Sequence, residues 1–318
     1  MKDRFGREIN YLRISLTDRC NFNCVYCKVK DTPLIPKENI LSFEEIEEII
    51  KVMAELGIKY IRLTGGEPLL RREIESLIYR IKNIPGIETV GITTNGYLLE
   101  EKAKDIFEAG LDYLNVSLDS LNKEVFSKIT QGGDLAKVIK GIKTAKKYAK
   151  NSIKINIVIT KYLPFELKKF TEFAKENNLI LRFIELMPVK DINYNDLYIP
   201  ASIIEKKLRE ISPLELLNES FGHGPSKYYF LRNLGIKIGF IFALSYPFCN
   251  KCNRLRLTSE GILLPCLNSN FGINLKDILR RNGKEGVLIA VQKIILNKPF
   301  GHRFHEEKIA FKMNRLGG

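Results

Sequence analysis

Two tight groups of cysteines carry the chemistry that is most open to reading: Cys20, Cys24 and Cys27, then Cys249, Cys252 and Cys266. The first group reads Cys-Asn-Phe-Asn-Cys-Val-Tyr-Cys, with spacings of three residues and two. Six cysteines could form a disulfide framework. Against that, the N-terminus Met-Lys-Asp-Arg-Phe-Gly-Arg-Glu has no apolar stretch of a secretory signal, and a chain this long needs no staples. Each group is also odd in number, which suits a site that leaves one coordination position open. A structural zinc site takes four ligands, and no fourth Cys or His lies near Cys20–Cys27. Thiolates also ligate iron–sulfur clusters, where three cysteines leave one iron free. The second group is a Cys-x-x-Cys followed by thirteen residues and Cys266. It admits two readings: a zinc site completed by His302 or His305, or a second cluster with an open iron. Otherwise these histidines, and His223, read as surface residues.

A second feature lies between the groups. Tyr60–Pro68 reads Tyr-Ile-Arg-Leu-Thr-Gly-Gly-Glu-Pro, a β-rich run that ends in two glycines, an acid and a proline. Glycines allow positive φ and close backbone approach. Alone this is a strand-ending turn.

Elements that position these residues are legible from periodicity. Short β-rich runs occur at Leu12–Leu16, Tyr60–Leu63, Val90–Thr93, Tyr113–Val116, Ile153–Ile159 and Leu181–Ile184. Between them lie amphipathic stretches: Ser42 to Gly57, with a Ser42/Glu45 capping box, then Arg72–Ile84, Leu98–Ala109, Ala136–Lys150 and Phe165–Asn177. Six strand–helix alternations predict an α/β fold with parallel strands and crossover helices. Polar groups fall at strand ends or along the strands: Thr93–Gly96, Ser117–Asp119, Lys154, Asn156, Arg182 and Glu185, with Met187 ending the sixth unit. That is where parallel barrels build their sites. From Gly222-His-Gly-Pro-Ser the pattern changes. Two β-like runs, Lys227–Leu231 and Ile236–Leu244, precede the second cysteine group, and helical patterns at Leu275–Arg281 and Val287–Leu296 follow it. Residues 1–221 and 222–318 are expected to be two units, the second packed on the open side of the first. Val189–Phe221 carries no motif, and Thr32–Pro36 reads as a plain connection.

Composition bounds the rest. Hydrophobic residues make up 45% of the 318, too many for a disordered chain. No apolar run approaches the ~20 residues of a membrane span. A cytoplasmic protein is expected. The net charge of +14 is compatible with nucleic acid, an acidic surface or an anionic small substrate. Part of it is solvated surface, as in Lys140–Lys150, where lysines share one helical face. A zinc-dependent nucleic-acid-binding protein would also fit the charge and the cysteines. There is no G-x-x-x-x-G-K-[ST] loop, so nucleotide hydrolysis of the P-loop type is not implied.

The first triplet and Gly65–Pro68, in this order, resemble the radical S-adenosylmethionine (radical SAM) superfamily. The whole chain resembles its MoaA-type GTP 3′,8-cyclase family of molybdenum cofactor biosynthesis. The likeness rests on Leu12–Phe22, Arg62–Pro68 with Arg71-Arg72, Thr93–Gly96, Asn115–Asp119, Arg182–Glu185, the Cys-x-x-Cys-x-Arg-x-Arg stretch ending at Arg256, and the terminal Gly317-Gly318. The resemblance implies an incomplete (β/α)6 TIM-like barrel with a C-terminal cluster-binding module. It also implies a lyase that turns GTP into (8S)-3′,8-cyclo-7,8-dihydroguanosine 5′-triphosphate, the first step of molybdopterin formation. Two [4Fe-4S] clusters are implied: one on Cys20, Cys24 and Cys27 that cleaves SAM, and one on Cys249, Cys252 and Cys266 whose open iron meets the guanine. Tyr26, Gly65, Gly66, Glu67, Ser117 and Met187 occupy SAM-contacting positions. Arg13, Arg62, Thr93, Lys154, Arg182, Arg254, Leu255 and Arg256 occupy GTP-contacting ones. Gly317 and Gly318 match a tail that reaches the active site. The implied chemistry is electron transfer to SAM, a 5′-deoxyadenosyl radical, hydrogen abstraction at ribose C3′ and attack on guanine C8. The implied partners are a ferredoxin- or flavodoxin-like electron donor and cyclic pyranopterin monophosphate synthase as recipient of the product. A homodimer is admitted; nucleic acid and membrane are not called for. A peptide-modifying radical SAM enzyme is the neighbouring reading, but such enzymes usually carry a cysteine-richer C-terminal region.

Overall fold

The computed structural model describes residues 1–27, 33–189, 193–304, 306 and 313–316. Six parallel strands form its centre: β1 (Tyr11–Ser15), β2 (Tyr60–Thr64), β3 (Thr89–Thr94), β4 (Tyr113–Ser117), β5 (Lys154–Ile159) and β6 (Ile180–Glu185). Helices cross between them: α1 (Phe43–Glu55), α2 (Ile74–Lys82), α3 (Leu99–Glu108), α4 (Lys123–Thr130), α5 (Leu135–Lys146) and α6 (Leu167–Asn177). The expected alternation is therefore present, and so is the open, partly closed barrel. The predicted capping box starts α1: Glu45 N donates to Ser42 Oγ (3.2 Å), and Ser42 N donates to Glu45 Oε2 (2.9 Å). On the inner face of this helix Ile46, Ile49, Ile50 and Met53 are buried, a 3–4 spacing that matches the helical period.

The C-terminal residues extend both edges of this sheet. After α7 (Tyr194–Leu197) and α8 (Ala201–Ile211) come β7 (Leu214–Leu217), β8 (Lys227–Leu231) and β9 (Ile236–Ile241). β9 lies parallel to β6, and β8 and β7 follow antiparallel. At the other edge β10 (Arg254–Leu257) lies parallel to β1, followed by β11 (Ile262–Leu264) and β12 (Ile273–Asn274). Twelve strands thus share one sheet, in the order β12-β11-β10-β1-β2-β3-β4-β5-β6-β9-β8-β7. Helix α9 (Leu275–Leu296) packs on α1 and is interrupted at Gly283, where φ is 61° and ψ −154°. Glycine tolerates that backbone, so the element is the two helical segments that the sequence pattern separates. A last turn, α10 (Met313–Leu316), lies against β1. No helix among the described residues is long and apolar enough to cross a membrane.

Candidate functional site

The strand register sets the site. Arg13 of β1 pairs with Arg62 of β2 on one side and Arg256 of β10 on the other, and Arg62 pairs with Gly91 of β3. Neighbours in register share a face, so three guanidiniums stand in one row. Gly91 makes room for them: a methyl group there would lie 2.5 Å from the Arg62 guanidinium. Arg62 is anchored by Nε on the Tyr11 hydroxyl (3.1 Å) and by Nη1 on the carbonyls of Ile92 (3.0 Å) and Tyr113 (3.2 Å). Arg182 holds Asn156 Oδ1 through Nε (2.8 Å) and Nη2 (2.5 Å). With its amide oxygen turned to the cations, Asn115 accepts from Arg182 Nη2 at 2.9 Å and Arg62 Nη1 at 3.3 Å.

These residues line a chamber of about 1250 Å³, measured out to its mouth. Arg13, Arg62, Lys154, Arg182, Arg254, Arg256 and Lys298 line it, and none of the described lining residues is Asp or Glu. The cations crowd one another in a dry place. Burial, then Arg182 and Arg62, bring Lys154 down to about 7. Burial, then Arg254, lower Arg256 to about 10, although Cys266 and Cys252 pull the other way. Arg13 is likewise held well below its ordinary value by burial and Arg256. A polyanion is the ligand that such a chamber suits.

A second chamber, of about 1060 Å³, adjoins it at the carboxyl ends of the strands; Asn156, Ile184 and Met187 line both. Its walls are Cys20, Cys24, Cys27 and Tyr26, the glycines Gly65 and Gly66, Thr93, Thr94, Ser117 and Met187. Burial and the neighbouring Cys27, Asp119 and Cys20 push Cys24 well up. Three cysteines share this wall, and a positive group among them would offset the burial and like charges that hold Cys24 up, which suits an iron–sulfur cluster. The Tyr26 hydroxyl donates to Asp119, whose other oxygen accepts from Val158 N (2.7 Å). Burial holds the Asp119 carboxyl up at about 6, against the lowering effect of these bonds.

The two glycines have a structural task that the sequence did not show. Gly66 N donates to Thr17 O (2.6 Å) and Glu67 N to Arg19 O (2.7 Å), which ties the turn to the chain entering the cysteine loop. A methyl group on Gly66 would lie 2.2 Å from Arg19 O, and Gly65 has φ 153°. Glu67 faces away from the chamber. Its carboxylate accepts from Leu69 N (3.0 Å), Thr94 Oγ1 (2.7 Å) and Asn95 N (2.7 Å), and burial raises it to about 7.

The second cysteine group stands on the wall of the cationic chamber. Burial raises the Cys252 thiol, but Arg254 and Lys298 outweigh it and bring the group to about 6. An already anionic sulfur is what a metal cluster needs. His302, the suggested fourth zinc ligand, is occupied: Nε2 bonds Ala243 O at 2.8 Å and Nδ1 accepts from Phe304 N. His305 lies outside the described residues, as do Gly317 and Gly318. The residue before that tail is placed, however: the Leu316 carbonyl accepts from Arg256 Nη1 (3.2 Å), and Asn314 Nδ2 donates to Asp18 O (3.0 Å).

Several sequence-named residues are separated from their expected company. Thr93 lines the cysteine-loop chamber rather than the cationic one. Leu255 is fully buried and lines neither, because it alternates with Arg254 and Arg256 along β10 and faces the opposite side. Conversely, His223 is no plain surface residue. Its ring stacks on Tyr60 (3.4 Å between centroids, 5° apart) and the Phe221–Pro225 loop lines the cationic chamber. A Gly-His-Gly-Pro loop reads as surface, and only the fold reveals what it covers. Lys298 is another addition, discussed below.

Comparison with known proteins agrees with this geometry. The family model described as "Radical SAM superfamily" matches residues 14–174, and "Molybdenum Cofactor Synthesis C" matches residues 179–304. Among solved structures, SuiB of Streptococcus suis bound to S-adenosylmethionine has a TM-score of 0.63 at 16% identity, covering 88% of this chain and 68% of that one. Native anSMEcpe with bound AdoMet gives 0.60 at 19% identity, covering 86% and 81%. These likenesses show the fold. Among curated proteins, a GTP 3′,8-cyclase of Pelotomaculum thermopropionicum is 40% identical over the full length of both chains. One of Thermodesulfovibrio yellowstonii is 41% identical, also over 100% of both, and one of Clostridium botulinum 41% over 97% and 96%. With identity at this level from end to end, this chain belongs to the GTP 3′,8-cyclase family of the radical SAM superfamily.

Proposed function

We propose that the chain converts GTP to (8S)-3′,8-cyclo-7,8-dihydroguanosine 5′-triphosphate, as a lyase at the first step of molybdenum cofactor biosynthesis. The observation that carries this reading is the pairing of chambers: one walled by a cysteine triplet and a glycine turn, the other by seven cationic side chains, with a shared wall. An unactivated ribose C–H bond is beyond side-chain acid–base chemistry. The cluster on Cys20, Cys24 and Cys27, together with SAM, supplies a hydrogen-abstracting radical when bound.

The protein's own part is placement. Arg13, Arg62 and Lys154 offer fixed cations to the triphosphate, and the two-pronged guanidiniums give it a direction. Asn156 and Arg182 brace each other where the chambers meet, so the ribose is held facing the cysteine-loop chamber. Tyr26, Gly66, Ser117 and Met187 form the SAM side, with Tyr26 fixed by Asp119. We assign a second cluster to Cys249, Cys252 and Cys266, where the guanine end would lie. In this reading residues 1–221 carry the radical chemistry and residues 222–318 hold the base. A ferredoxin- or flavodoxin-like donor, passage of the product to cyclic pyranopterin monophosphate synthase, and a cytoplasmic location go with it.

The test is anaerobic incubation of the reconstituted chain with GTP, SAM and a reductant. The expected result is 5′-deoxyadenosine that depends on GTP, together with a cyclised GTP product. SAM cleavage indifferent to GTP, with no product, would overturn the substrate; zinc without iron or sulfide would overturn the reaction class.

A further inference from the structure

Lys298 is 2% exposed, and its ammonium donates to Arg254 O (2.7 Å) and Pro265 O (2.5 Å). Arg254 lies two residues beyond Cys252, and Pro265 immediately precedes Cys266. One side chain therefore ties together the two strands' ends that carry two cysteines of the second group. The third cysteine has its own clamp. Arg7 Nη1 donates to Cys249 O (2.7 Å) and Phe300 O (2.9 Å), and Nη2 donates to Pro299 O (2.7 Å). The two cations differ in one respect. Arg7 is neutralised by Asp3 at 2.7 Å, whereas Lys298 has no carboxylate partner among the described residues. A buried ammonium without a counter-charge is costly unless an anion stands nearby. The anion the fold can place nearby is a cluster on Cys252 and Cys266, whose chain segments Lys298 grips through the Arg254 and Pro265 carbonyls.

We propose that Lys298 is a positioning residue for the second cluster, which holds the Cys252 and Cys266 segments in register and, by its uncompensated charge, raises the cluster's reduction potential. This rests on the assignment of a cluster to Cys249, Cys252 and Cys266. Removing a nearby positive charge makes acceptance of an electron less favourable, because cluster potentials follow local charge and hydrogen bonding.

The test uses the full chain carrying Cys20→Ala, Cys24→Ala and Cys27→Ala, so that the second group alone can bind iron. Iron and sulfide content and the midpoint potential by EPR-monitored titration are measured for it and for three further substitutions. Lys298→Gln keeps N–H donors but drops the charge. It is expected to hold iron and to make one-electron reduction about tenfold less favourable, a shift of about 59 mV to lower potential. Lys298→Arg keeps the charge and is expected to stay near the parent potential. Lys298→Met drops both functions and is expected to lose at least half the iron. Equal potentials in the Gln and Arg variants would overturn the inference, even if the Met variant fails to fold. A parent chain without iron or sulfide would instead overturn the second cluster itself.

Discussion

Lys154 gives the cationic chamber a pH dependence that can be worked out beforehand. Burial beside Arg182 and Arg62 lowers its pKa to about 7, against 10.5 for a free lysine. A triphosphate favours the charged ammonium, so GTP binding must draw a proton onto Lys154 above pH 7. If the charged form alone binds well, affinity follows the protonated fraction. That fraction falls from about one half at pH 7 to about one eleventh at pH 8, so the Kd for GTP rises about fivefold by pH 8 and about fifteenfold by pH 8.5. The window lies above the phosphate pKa of about 6, which keeps the triphosphate's own charge nearly constant. The assay is anaerobic calorimetry with GTP, without SAM or reductant, in two buffers of different ionisation heat. It should show close to one proton taken up per GTP at pH 8. Lys154→Met should bind weakly at pH 7, show a flat Kd across the window, and approach the unsubstituted chain at the alkaline end. Parallel curves for the two proteins would refute the assignment of the titration to Lys154.

Three further outcomes follow from the packing. Gly66→Ala forces a methyl group against Arg19 O, 2.2 Å away, so the cysteine loop must shift; iron per chain at the first group should drop by half or more, and unchanged iron would sink that account of the glycine. Gly91→Ala displaces the Arg62 guanidinium, and GTP affinity should weaken about tenfold, about 1.4 kcal/mol, with iron content unaffected; equilibrium binding against iron assay separates the two. Asp119→Ala leaves the buried Tyr26 hydroxyl and Val158 N without their acceptor, so thermal unfolding should lose about 1–3 kcal/mol and SAM affinity should fall with it.

The barrel was legible because its strands are β-branched runs broken by turn residues, and its helices bury one stripe at helical spacing. Helix α4 escaped because Lys123–Thr130 has only Asn122 as a cap and few apolar residues. β10 escaped because Arg254-Leu255-Arg256-Leu257 is four residues long and half charged, which reads as cysteine-motif flank until β1 lies beside it. The same blindness explains the site. Cysteines and glycines announce themselves by type and spacing, so both triplets and the Gly-Gly turn were found. Lys298 is one of 51 basic residues with nothing local to mark it, and its place is set by the carbonyls of Arg254 and Pro265, far from it in sequence. The reading of Glu67 as a cofactor contact came from the family resemblance of Gly65–Pro68; only the positions of Thr94 and Asn95 show where its carboxylate goes.

The edge strand β10 also sets a timetable. During synthesis Tyr11–Ile14 of β1 find their partners on one side only when Arg254–Leu257 appear, about 240 residues later. At ~5–20 residues per second that interval is roughly 12–48 s. Throughout it, the unpaired edge of β1 offers its backbone donors and acceptors to any other chain. The N-terminal residues likewise wait for the last fifth of the chain before Arg7 can grip Pro299 and Phe300. A chain released before Arg254 is therefore left with an open seam, and it should accumulate as aggregate rather than as a soluble half-barrel.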